Sequence, residues 1–233
     1  MIEPAVLFED NHCLALNKPG GLLTQGLPVG LPTLWSWARD YLRRTYHKAG
    51  NVYLGVPHRL DRPVSGVVLF AKTSKAAARL AEQFRERQVK KVYWALVEGI
   101  VDPQRGTWVD WLRKIQDQAR AEIVAENTPD ARQAETAYRV LKFHSSRTLI
   151  ELLPHTGRMH QLRLQSASRG WPIVGDQLYG SKSSFGPPAE LARDQLIALH
   201  ARSLTFLHPI RYEPQIIKAP SPDYWNPEMP AIS

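Results

Sequence analysis

Between residues 90 and 154 the chain runs through a succession of strand-like segments, VYWALVE, TWVDWL, AEIVA, ETAYRVLKF and TLIELLP, with no helix-forming stretch between them. Strands that follow one another without a crossover pair as hairpins, because parallel neighbours need a connection of about a dozen residues or more. HSSR at 144–147 reads as one such turn. Shorter strands flank this block: Ala5 to Phe8, His12 to Asn17 with Lys18 at its end, Val67 to Ala71, and one in ALHARSLTFLHP before a proline-rich tail. Helical spacing places Leu34, Trp37, Ala38, Tyr41 and Leu42 on one face behind a Thr33 cap. A second helix, with Ser74 as its cap, carries Ala77, Leu80, Ala81 and Phe84 on one face. HTGRMHQLRLQSASRG has a rougher helical period stopped by Gly170. These elements predict an α+β fold with a largely antiparallel sheet, in a single domain over 1–233.

The partner class follows from charge. Thirty Lys and Arg against 22 Asp and Glu leave a formal +8, so a polyanion such as nucleic acid is the first partner to consider. A lone cysteine, Cys13, rules out an internal disulfide and a thiolate zinc cluster, and suits a reducing compartment such as the cytoplasm. The N-terminal residues lack a basic stretch followed by an apolar one, and no apolar run reaches about 18 residues, so neither an export signal nor a membrane span is expected.

Three constellations can carry chemistry. In HRLDRPVSG, residues 58–66, Arg59 and Arg62 flank Asp61, and a nearby guanidinium keeps a carboxylate ionised and usable as a nucleophile or base. A surface ion pair is the ordinary alternative for so short a pattern. Pro63, Ser65 and Gly66 turn the backbone just before a buried strand, which suits a side chain held at a sheet edge. In TGRMHQLR, residues 156–163, a helix would put His160 and Arg163 on one face, with Arg163 able to reach a carboxylate. A solvated basic helix start accounts for the same residues. His155 and His160 lack metal-ligand spacing and companions, so no metal site is expected. In RERQVKKVYWALV, Arg85, Arg87, Lys90 and Lys91 can neutralise phosphates. Tyr93 or Trp94, on opposite faces of the strand, can stack on an unpaired base, although core packing is the commoner use of a strand aromatic.

Taken together, NKPGGL (17–22), HRLDRPVSGVVLFAKT (58–73), KKVYWALVEG (90–99), TGRMHQLRLQ (156–165), PIVGDQLYG (172–180) and LHARSLTFLHP (199–209) resemble the RluA-type RNA pseudouridine synthases in order and spacing. The resemblance implies a mixed, mainly antiparallel sheet with outer helices and a central basic cleft. It implies isomerisation of uridine in tRNA or rRNA to pseudouridine, with no metal or organic cofactor and no obligate protein partner. It assigns the essential aspartate to Asp61, the base-stacking tyrosine to Tyr93, and the arginine paired with the aspartate to Arg163. His58 and Arg59 would lie at the RNA-facing edge, and Arg158, His160 and Gln161 are further candidate RNA contacts. Two positions depart from the family pattern: Val64 stands where threonine is usual, and Gln165 where histidine is often found. The small N-terminal RNA-binding domain of several members is expected to be lacking.

Two other readings compete. A nucleoside or glycoside hydrolase would use a carboxylate at an anomeric carbon but needs a second one, for which Asp176 in VGDQLYG is the nearest candidate. The resemblance gives that segment a structural role, with Gly175 and Gly180 marking turns. A non-catalytic RNA-binding protein would keep the fold without needing Asp61, Tyr93 and Arg163 together.

Overall fold

The computed structural model of the chain describes residues 3–26 and 31–225; residues 1–2, 27–30 and 226–233 lie outside the described residues. The described residues form ten strands and three α-helices, the α+β class expected from sequence. The chain divides into two compact units, one formed by residues up to Val89 together with Ala201–Pro222, the other by Lys90–His200 with residues from Asp223 onward.

In the first unit, β1 (Ala5–Glu9), β2 (Cys13–Lys18), β3 (Ser65–Ala71), β9 (Leu199–Leu207) and β10 (Pro214–Lys218) are neighbours in that order, β9 entering from the other unit after His200. The β1–β2, β2–β3 and β9–β10 pairs are antiparallel. Every residue of β3 is buried, as its unbroken apolar run requires of a strand covered on both faces. Cys13, Val67, Leu69, Leu80 and Phe206 belong to one core under this sheet.

Two helices flank these strands. In α1 (Leu34–Thr45), Thr33 and Ser36 form a reciprocal capping box, and Leu34, Ala38 and Leu42 are buried. Trp37 and Tyr41 are only half-buried and stack on each other, with ring centroids 5.5 Å apart. In α2 (Ser74–Arg85) the cap is Thr73 instead of Ser74, its hydroxyl accepting from the Ala76 amide at 3.2 Å. The inward face is consequently Ala76, Leu80 and Gln83, while Ala81 is exposed. The inward glutamine is paired: the Gln83 side-chain amide donates to the Leu207 carbonyl at 2.8 Å and accepts the Leu207 N–H at 2.9 Å, fastening α2 to β9.

The hairpin block makes the second unit. Its strands β4 (Lys90–Glu98), β5 (Arg105–Lys114), β6 (Ala121–Val124), β7 (Arg132–His144) and β8 (Arg147–Pro154) lie in the order β4-β8-β7-β5-β6, and each neighbouring pair is antiparallel. HSSR is the β7–β8 turn, with Ser145 in the left-handed region. The third helix, α3 (Gln161–Ala167), is tied to β5 and β7 by Gln165, which is fully buried. Its side-chain oxygen accepts from Thr136 Oγ1 at 2.7 Å and its amide nitrogen donates to Asp110 Oδ2 at 2.7 Å. Gln165 is therefore a packing residue, with its hydrogen-bonding capacity turned inward. None of the described helices is long and apolar enough to cross a membrane.

Candidate active site

Asp61 opens a tight turn. The Val64 N–H donates to the Asp61 carbonyl at 3.1 Å, and the chain then enters β3 at Ser65. Gly66 has φ +117°, and a Cβ there would lie 2.3 Å from the Ala201 carbonyl oxygen of β9, so both backbone conformation and close approach require glycine. Asp61 itself is half-buried, and Val64 is buried in the turn.

The residues on either side of Asp61 are held by the segment that follows β2. Thr24, only 2 % exposed, both donates its hydroxyl to the Leu60 carbonyl at 2.8 Å and accepts the Leu60 N–H at 3.1 Å. On the other side, the Arg62 carbonyl accepts from the Gly21 N–H at 2.8 Å and from Lys18 Nζ at 3.1 Å. The Arg62 side chain, for which the sequence offered no role, donates from Nε to the Gly21 carbonyl at 2.9 Å.

Lys18 ends β2, as the sequence predicts, and its side chain turns inward to hold the loop that follows. The side chain is fully buried and donates to the carbonyls of Pro19, Leu22 and Arg62 at 2.9, 2.7 and 3.1 Å. Burial pushes its pKa down to about 7, and the charge of Asp61 pulls in the opposite direction. A buried lysine is rare without partners, so an NKPGG segment ending an apolar strand was the available signal.

His58 and Arg59 separate in role. The His58 Nε2 accepts the Leu69 N–H at 2.9 Å, and its ring stacks on Phe84 at 4.6 Å, so the imidazole braces β3 against α2. Arg59 is exposed, as are Arg85, Arg87 and Lys90. Arg85 is shared with Glu82 and Glu86 in exposed ion pairs.

In the second unit, Tyr93 and Lys91 are two apart on β4 and so share a face. Lys91 Nζ donates to the Thr156 carbonyl at 3.1 Å, which puts Tyr93 on the side of β4 that meets the TGRMHQLR segment. Trp94 occupies the opposite face. Arg163 on α3 is 6 % exposed, and its guanidinium binds Asp176 side-on, Nε to Oδ2 at 2.7 Å and Nη2 to Oδ1 at 2.8 Å. The guanidinium also lies over the Tyr179 ring, 5.1 Å from its centroid. Asp176, 1 % exposed and engaged by an arginine, is a structural partner and not the accessible second carboxylate that a hydrolase needs.

Two expectations for this segment need correction. His160 does not share a helical face with Arg163: it precedes α3 in the left-handed region with φ 52°, and its Nδ1 lies 2.8 Å from the Tyr179 hydroxyl. The two residues meet the same tyrosine instead. Gln161 is not placed for RNA contact, being 4 % exposed with its amide committed inward. Its Oε1 accepts from Thr156 Oγ1 and the Arg158 N–H at 2.7 and 2.9 Å, and its Nε2 donates to the Glu135 carbonyl and Thr136 Oγ1 at 3.0 and 2.9 Å. The half-buried Arg158 donates from Nε to the Gln133 carbonyl at 3.0 Å.

A group of three metal-capable side chains, Asp10, Cys13 and His208, occurs in the first unit, and its geometry is that of a hydrogen-bonded brace. His208 Nε2 pairs with Asp10 Oδ2 at 2.7 Å, while His208 Nδ1 accepts the Arg211 N–H at 2.9 Å. Burial pushes the Cys13 thiol up to about 12, so it is not a ready thiolate ligand.

Residues 12–168 match the family described as RNA pseudouridylate synthase. The dual-specificity RNA pseudouridine synthase RluA of Vibrio cholerae is 35 % identical over 211 residues, covering 88 % of this chain and 77 % of that protein. The tRNA pseudouridine synthase C of Vibrio parahaemolyticus is 32 % identical over 240 residues, covering 97 % and 93 % respectively. Among solved structures, human RNA pseudouridylate synthase domain containing 4 aligns with a TM-score of 0.77 at 26 % identity, over 94 % of this chain and 89 % of that one. With its motifs on the elements that hold Asp61, Tyr93 and Arg163, this chain belongs to the RNA pseudouridine synthase family.

Proposed function

We propose that the chain is a cytoplasmic enzyme of one catalytic domain that isomerises uridine to pseudouridine in tRNA or ribosomal RNA, with Asp61 as its reactive group. Breaking the bond between uracil N1 and ribose C1′ develops positive charge on the sugar. An ionised Asp61 stabilises that charge, traps it as an ester, or relieves it by taking the C2′ proton; each route begins from the same carboxylate. The detached uracil turns on the face of Tyr93, a new bond forms from C5 to C1′ as any ester breaks or the C2′ proton returns, the C5 proton leaves to solvent, and N1 takes up a proton. Arg163 is the arginine we assign to keeping Asp61 anionic. The target nucleotide leaves its stack at a cost of about a few kcal/mol, and Arg59 fills the vacated space within a basic cleft.

The observation that carries the reading is the turn at Asp61, whose neighbours are clamped on both sides while Asp61 itself is half-buried. Such rigidity suits a group that must meet one sugar carbon in one geometry. The burial of Asp176 against Arg163 weighs against hydrolysis.

The test is tritium release from tRNA and rRNA transcripts labelled at uracil C5. The wild-type chain should release tritium without changing RNA mass, and Asp61→Asn should abolish release while still binding RNA. Undiminished release by that variant would remove Asp61 from its role, and free uracil among the products would mean hydrolysis.

A further inference from the structure

We propose that Thr24 is a positioning residue for Asp61, a role that rests on the reaction proposed above. Its hydroxyl spends both a donor and an acceptor on one residue, Leu60, which is 6 % exposed and immediately precedes the aspartate. This is an unusually complete grip. A peptide unit held at both its N–H and the following carbonyl has little freedom to tilt, and the Cα of Asp61 is about 3.8 Å from that of Leu60.

The grip is anchored in turn. The Thr24 carbonyl accepts the Trp35 N–H at 3.0 Å, and the Leu23 carbonyl accepts the Leu34 N–H at 2.8 Å, so both residues are fastened to the first turn of α1. Thr33, which caps that helix, also forms a parallel bridge with Leu23. A continuous hydrogen-bonded path therefore runs from α1 through Thr24 to Leu60 and the reactive turn. The Lys18 and Gly21 contacts hold the opposite side of Asp61 at Arg62, so removing the Thr24 hydroxyl would take away its hold on Leu60 while those at Arg62 remain.

Thr24→Val keeps the side-chain shape but removes the hydroxyl, orphaning the Leu60 N–H and carbonyl in a buried setting. Thr24→Ser restores the hydroxyl. Displacing a catalytic group by about 1 Å costs on the order of a hundredfold in rate. We expect Thr24→Val to lower kcat for tritium release roughly ten- to a hundredfold, with KM for RNA essentially unchanged and Thr24→Ser close to wild type. Hydrogen exchange of the peptide spanning residues 58–64 should be faster in Thr24→Val and normal in Thr24→Ser.

Thr24→Ala replaces the valine variant if the latter does not fold. Wild-type kcat and exchange in a folded variant without the hydroxyl overturn the proposal. So does a loss confined to KM, or an equal loss in Thr24→Ser. The exchange measurement does not depend on turnover: a wild-type chain that releases no tritium defeats the proposed reaction, while exchange still decides whether Thr24 holds the turn.

Discussion

Arg163 and Asp176 form a side-on bidentate pair, Nε to Oδ2 at 2.7 Å and Nη2 to Oδ1 at 2.8 Å, with the aspartate side chain 1 % exposed. A buried pair of this kind fixes the orientation of the guanidinium plane, and with it the direction of the remaining amine. Asp176 thus helps set the geometry of an arginine proposed to serve a different carboxylate, Asp61.

Asp176→Ala should therefore be costly in two ways. Removing one partner of a buried ion pair costs on the order of 3–5 kcal/mol because the other charge is left uncompensated. The urea midpoint should fall accordingly, and tritium release should drop even under conditions where the variant remains folded. An unchanged midpoint would show that Arg163 finds another full partner.

Lys18→Met addresses a charge buried beside the reactive turn. The folded-state pKa of Lys18 is about 7, depressed from its ordinary 10.5, so between those values the unfolded chain binds the additional proton. The lysine's contribution to wild-type stability relative to the methionine variant therefore increases as pH rises from 7 towards 10.5, by at most about 1.4 kcal/mol per pH unit. Below the folded pKa the difference becomes flat. Urea unfolding of both proteins at pH 6.5, 8 and 9.5 checks the sign, and a wild-type-minus-variant stability that falls as pH rises would contradict it.

Gly66→Ala should disrupt the join between β3 and β9. The added methyl would meet the Ala201 backbone at 2.3 Å, and φ +117° is unfavourable to alanine. A loss of several kcal/mol is expected, on the order of the 1–3 kcal/mol for backbone strain with overpacking added. Thermal unfolding should shift by many degrees; a near-normal melt would mean that β9 can move away from β3.

How much of this could be read beforehand depended on the range of the interaction. Alternation and hairpin turns in 90–154 are local, and they announced the second unit's strands. The β10 segment PQIIK has little signal of its own and becomes a strand by pairing with β9. Thr73 displaced Ser74 as a cap because both residue types can accept from the first helical turn, and only the bond to Ala76 decides between them. Motif order is what singles out Asp61, Tyr93 and Arg163 as the proposed chemical residues. Thr24, Lys18 and Asp176 act through partners distant in sequence, such as Leu60, Arg62 and Arg163, and neither composition nor periodicity encodes those pairings. Gln161 misled for the same reason, since a polar side chain beside arginines says nothing of the four bonds that turn it inward.

A glutamine at position 165 has a consequence for acid tolerance. The amide that locks α3 to Thr136 and Asp110 carries no ionisable proton, whereas an imidazole in the same buried position would change charge near neutrality. In this chain the joint therefore keeps the same glutamine donor and acceptor through mild acidification, and its seat for Arg163 is freed from one source of pH sensitivity.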